Sequence, residues 1–172
     1  SIAVSCSVGV AVFPDDALDQ AELMRRADAA MYEAKAAGRD IARFFSVETD
    51  QRIQARQIME VQLRHALDGK EFSLHYQPRL CARTRRMLGA EALLRWNNPV
   101  LVSVSPGNFI PLAEETGLIK PIGLWVLNEA CSQWVKFQTE GLFVGLELSV
   151  NLSAAQLADP DLLGQLQGVL DS

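Results

Sequence analysis

A chain of 172 residues with 49% hydrophobic side chains and a net charge of −5 is long enough to bury one ordinary core. The acidic balance excludes a general binder of nucleic-acid polymers or anionic membranes, whereas a small nucleotide needs only a few local cations. No stretch reaches the roughly 18 apolar residues of a membrane span, and the first residues lack the basic start of a signal peptide. Cys6, Cys81 and Cys131 form no C-x-x-C pair, so a cytoplasmic chain with reduced, buried thiols is expected.

The chain opens in a strand pattern. Ile2, Val4, Cys6, Val8, Val10 and Val12 alternate with small residues up to Phe13, and Pro14-Asp15-Asp16 breaks the run. A helix is predicted from Asp19 to Ala37, with Asp19 as N-cap, Glu22 in the capping-box position and Gly38 as the stop. Leu23, Ala27, Ala30, Met31 and Ala34 form its apolar stripe. Ile41–Phe45 reads as a second short strand. A polar segment from Ser46 continues into a helix ending near Gly69, with Met59, Leu63, Ala66 and Leu67 on its buried side. Apolar periodicity is weakest between Glu48 and Arg56, and Pro, Gly and Ser runs are lacking there. A rigid helical linker is therefore expected, dividing the chain into residues 1–46, 47–69 and 70–172.

After Gly69, Phe72, Leu74 and Tyr76 alternate with Ser73, His75 and Gln77, and a polar turn from Cys81 to Arg86 leads to a strand over Leu88–Trp96. Ser105 and Pro106 start a helix that stops at Gly117. A long helix follows over Ile119–Thr139, then a strand in which Leu146, Leu148 and Val150 alternate with Glu147, Ser149 and Asn151. The last helix covers Asp161–Leu170. Strands alternating with helices define an α/β chain, either a barrel or a doubly wound sheet.

The run Gly89–Trp96 places a carboxylate and a guanidinium in an apolar strand, with Glu91, Leu93 and Arg95 on one face and Ala90, Ala92, Leu94 and Trp96 on the other. Such charges are costly unless paired, solvated or ligated, which leaves a local salt bridge and a ligand site both open. Glu91 and Asn151 carry oxygen donors suited to hard cations such as Mg or Mn; the alternative is a plain strand carboxylate and a turn-forming amide. Gln77, just before Pro78, reads by itself as a strand-end side chain that caps a loop. Arg95 carries a planar fork of donors that suits a phosphate oxygen. Lys35 and Arg39, at the end of the first long helix, read by themselves as solvated cations favoured by the helix dipole. Glu114, Glu115 and Thr116 are read as a solvated helix end, His65 as a surface residue and His75 as structural.

Four ordered blocks carry a resemblance. They are Glu71 through Pro78, the triplet Glu91-Ala92-Leu93, Ser105-Pro106 with Phe109 through Ile119, and Val150-Asn151-Leu152-Ser153. They closely resemble the EAL family of cyclic-di-GMP phosphodiesterases, over about two thirds of the chain from Ile58. The resemblance implies a TIM-like (β/α) barrel, of which this chain would be the first half. It implies hydrolysis of cyclic di-GMP to linear pGpG by metal-bound water, with Mg or Mn held by Glu91 and Asn151 and the dinucleotide contacted by Gln77, Leu94 and Arg95. It also implies further acidic ligands and a lysine beyond Ser172, so the chain alone is expected to be inactive and to associate, as a homodimer, through an unclosed barrel. The stretch Asn97–Val104 lacks the histidine usual before the proline and the glycine usual soon after it, which leaves the loop geometry open. Ser7–Ala11, Ala27–Lys35 and Gly38-Arg39 resemble the closing third of a GGDEF (diguanylate cyclase) α/β domain, in which the residues matching Lys35 and Arg39 contact nucleotide phosphates. Two other readings compete with catalysis: a non-catalytic cyclic-di-GMP receptor, and a dimer-forming hinge through Ser46–Gly69.

Overall fold

A computed structural model describes residues 6–171, which fall into two compact units that divide between Ile58 and Met59. The expected strand residues Ile2 and Val4 lie outside the described residues. In the first unit β1 (Val8–Val10) and β2 (Ala42–Phe44) pair in parallel, and α1 (Gln20–Ala36) is the crossover that parallel pairing requires. β1 stops sooner than the alternation predicts. β2 offers it three partners only, and Val12 and Phe13 are left exposed. Ala30 and Ala34 are the buried residues of α1, and a Cβ at Gly9 would run into the Ala27 carbonyl and the Met31 backbone.

The expected N-cap forms, with Asp19 Oδ1 accepting from the Glu22 amide at 2.9 Å. The reciprocal half of the box does not, because the Glu22 carboxylate is taken by Arg25 (2.8 Å) and Arg26 (2.7 Å). Hydrogen bonds from Arg25 and then Arg26 hold that carboxyl down at about 2. Arg25 reaches on to Asp50 (3.3 Å) and Arg52 pairs with Glu33 (3.1 Å), clipping the start of α2 (Val47–His65) to α1. α2 ends four residues before the expected Gly69, as the chain turns into the next strand through a bond from the Glu71 amide to the Ala66 carbonyl (3.0 Å).

The second unit is built on a four-stranded sheet of β3 (Phe72–Leu80), β4 (Met87–Asn98), β5 (Val102–Val104) and β6 (Glu147–Val150). β3 runs antiparallel along one edge of β4. The other edge pairs with β6, in parallel, over Gly89–Ala92 and with β5, antiparallel, from Trp96 onward. α3 (Pro106–Thr116) and α4 (Ile119–Thr139) cover the sheet face that carries Phe72, Leu74, Leu94 and Trp96. Trp96 and Phe109 are 0% exposed with rings 5.4 Å apart, edge to face, and form the centre of this core. α5 (Ala154–Leu157) and α6 (Leu162–Leu170) follow β6. β5 and α5 are too short, at three and four residues, for periodicity to reveal.

The loop after β4 is set by Asn98, one of two buried polar residues among those described. Its Nδ2 donates to Glu71 (2.8 Å) and Gln62 (3.1 Å), and its Oδ1 accepts from the amides of Leu101 (2.8 Å) and Val100 (2.9 Å). Glu71 also accepts from Trp96 Nε1 at 2.9 Å. Val102, in the hairpin, sits at φ 62, a left-handed conformation that a β-branched residue rarely adopts. The expectation of buried thiols fails: all three are free, with Cys6 exposed and Cys81 and Cys131 half-buried. Among the described residues no helix is long and apolar enough to cross a membrane.

Candidate functional site

Register decides what lies beside Glu91. On β3 its partner is Gln77 and on β6 it is Ser149, so these three side chains form a row on the sheet face away from α3 and α4. Asn151 lies one residue past β6, on the same side as Ser149. Its Nδ2 donates to Glu91 Oε1 at 2.6 Å, joining two positions 60 residues apart in sequence. Arg79, further along β3, donates to the Ser149 hydroxyl. Neither Ser149 nor Arg79 stood out in the sequence, because only the strand register sets Ser149 beside Glu91 and Arg79 within reach of Ser149.

The local Glu91–Arg95 salt bridge is not made. Four residues of strand span about 13 Å, too far for a pair, and Arg95 Nη1 instead donates to the Leu94 carbonyl at 2.9 Å. Leu94, Arg95 and Asn151 line one cleft of about 290 Å³, walled by Ile110 of α3 and Ile122 of α4. Glu114, exposed in the last turn of α3, also lines this cleft, and the Thr116 hydroxyl closes the helix end by donating to the Leu112 carbonyl at 2.7 Å. Gln77 is exposed beside Glu91, away from the cleft lining. His65 and His75 are both exposed. In the first unit Lys35 occupies the last turn of α1, and Arg39 follows with φ 63 and its amide bonded to the Ala34 carbonyl (3.1 Å); both side chains are exposed.

Glu91 and Asn151 in direct contact offer carboxylate and amide oxygens, the donor chemistry of a hard-cation site. A half-turn of the Asn151 amide presents its Oδ1 in place of Nδ2. Among the described residues no group of three or more His, Cys, Asp and Glu is placed to hold an ion.

Residues 60–172 match the EAL domain family model, and residues 1–41 match that of the diguanylate cyclase GGDEF domain. The chain belongs to the EAL domain family, with the closing part of a GGDEF domain before it, and its α/β fold is of the expected class. It is 42% identical over 169 residues to the bifunctional diguanylate cyclase/cyclic di-GMP phosphodiesterase MucR of Pseudomonas aeruginosa, covering 98% of this chain and 24% of that protein. It is 39% identical over 166 residues to the cyclic di-GMP phosphodiesterase PdeR of Escherichia coli, covering 96% of this chain and 25% of that one. A solved structure of the MucR phosphodiesterase in complex with c-di-GMP superposes with a TM-score of 0.61 at 43% identity, over 66% of this chain and 45% of the other. The chain thus spans about a quarter of the length of these curated relatives.

Proposed function

We propose that the protein carrying this chain hydrolyses cyclic di-GMP to linear pGpG with Mg or Mn. The observation that carries this reading is the 2.6 Å contact between Asn151 and Glu91 beside a cleft lined by Leu94 and Arg95. Glu91 and Asn151 would hold a cation whose chemistry is to activate water and neutralise charge on the attacked phosphate. Arg95 turns its guanidinium to a phosphate oxygen, Leu94 packs against the nucleotide and Gln77 supplies an amide beside Glu91. The names of MucR and PdeR support the substrate. In this reading residues 1–46 close a GGDEF domain in which Lys35 and Arg39 meet nucleotide phosphates, residues 47–69 link, and residues 70–172 form part of the phosphodiesterase barrel. Three free cysteines suit a cytoplasmic setting. Exposed Leu157, Leu163 and Leu170 support association of two copies through the EAL half, which a mass that stays monomeric across a concentration series would refute.

The test is made on the full-length protein. Glu91→Gln should lower Mg- or Mn-dependent hydrolysis by more than the roughly 10–100-fold typical of losing an outer-shell partner. A wild-type protein that binds cyclic di-GMP with either metal but shows no turnover would overturn the enzyme and establish a receptor in its place.

A further inference from the structure

Asn151 stands in a short unpaired stretch between β6 and α5, so something other than sheet hydrogen bonds must hold it on Glu91. Two residues on, Ser153 begins α5 with a closed capping box. Ser153 Oγ accepts from the Gln156 amide at 3.2 Å, and Gln156 Oε1 accepts from the Ser153 amide at 3.1 Å. Gln156 is 5% exposed, the second buried polar residue among those described. The end of its side chain lies directly on Gly123 in α4, where any Cβ would overlap the Gln156 amide. Glycine inside a helix is less favourable than alanine, so its place within α4 calls for a reason, and the seat for Gln156 supplies one. The segment is fastened again beyond α5, where Asp159 pairs with Lys120 of α4 at 2.9 Å. α4 itself is anchored in the core through Ile119, Ile122 and Val126.

We infer that Gln156, seated on Gly123, is a positioning residue that holds Asn151 in place to share a cation with Glu91. The inference rests on the proposed role of Glu91 and Asn151 as metal ligands. Gln156 acts through the backbone: its Oε1 fixes the Ser153 amide, and only Leu152 separates Ser153 from Asn151. A side chain at position 123 would push the amide off its seat and release the same stretch.

The experiment uses the full-length protein. Gln156→Met keeps the volume and removes the acceptor, and should raise the Mg or Mn concentration for half-maximal hydrolysis about 10-fold, while KM for cyclic di-GMP at saturating metal stays put. Gly123→Ala should reproduce that defect. Gln156→Glu retains the Ser-x-x-Glu form of the capping box and should restore most of the metal affinity. A purely structural role predicts a lower melting temperature in all three with the metal dependence unmoved, and that outcome overturns the inference. Should the wild type prove inactive, the proposed function fails separately. The side-chain amide resonances of Asn151, followed with selectively labelled asparagine, then decide the question. Gln156→Met should average them toward solvent values, and resonances unchanged from wild type would sink the idea.

Discussion

The two units hold themselves together by different means. The first buries only small side chains on its helix, Ala30 and Ala34, and is fastened by ion pairs from Glu22, Arg25 and Asp50 and from Glu33 and Arg52. The second closes over large ones, with Trp96, Phe109, Leu63, Leu112 and Ile122 essentially out of solvent. Exposed ion pairs are screened by water and contribute little, whereas burying one large apolar side chain contributes about 1.5–3 kcal/mol. The consequence reaches the residues proposed for the two sites. Lys35 and Arg39 stand exposed around the end of a helix, while Glu91, Asn151 and Arg95 are carried on or beside strands backed by the aromatic core. A site that must hold two oxygen donors within a fraction of an ångström belongs on the second kind of support.

The contrast is open to attack at several points. Trp96→Ala removes a ring with no solvent exposure and strips Glu71 of a donor, and should destabilise the second unit by about 3–5 kcal/mol in urea unfolding. The tryptophans, Trp96, Trp125 and Trp134, all lie in the second unit, so their fluorescence follows that unit alone. Ala34→Gly in α1 should cost only about 1 kcal/mol beyond a small packing loss, and a cost equal to that of Trp96→Ala would end the distinction. Val102→Gly should stabilise the second unit by about 1 kcal/mol by relieving the left-handed φ of 62; a loss of stability would refute strain in the hairpin.

Acid should act on the first unit through Glu22. Its carboxyl is held below the ordinary 4.5, at about 2, so the folded state binds fewer protons than the unfolded one. The stabilisation is present above 4.5 and is lost as pH falls from there toward about 2. Hydrogen exchange along α1 should report that loss, and Glu22→Gln should flatten the dependence. The smallest effect concerns the thiols. The Thr84 hydroxyl, with backbone donors of Thr84 and Arg83, lowers Cys81, and burial raises Cys131. Iodoacetamide near neutral pH should therefore reach Cys81 before Cys131, with equal rates contradicting the difference.

The long elements were readable because their signals are local and repeated. Asp19 caps α1, the glycine at 117 closes α3 in the left-handed conformation, and the predicted bounds of α4 match those observed, because caps and apolar spacing are written within each segment. β1 was overdrawn because alternation marks residues that can be strand, whereas β2 determines how many find a partner. The Ser153-x-x-Gln156 capping box was present in the letters but gave no hint that Gln156 would rest on Gly123.

By itself the sequence determined the α/β class, the family and the residue types able to bind a hard cation and a phosphate, since these depend on periodicity and on short ordered motifs. Tertiary structure alone decided which of them meet. Register across β3, β4 and β6 set Gln77, Glu91 and Ser149 in one row, and the end of β6 delivered Asn151 to Glu91. The physical reason is that a strand pairs through its backbone, whose hydrogen bonds are the same at every residue. Which side chains become neighbours is settled only when a whole apolar face is buried at once.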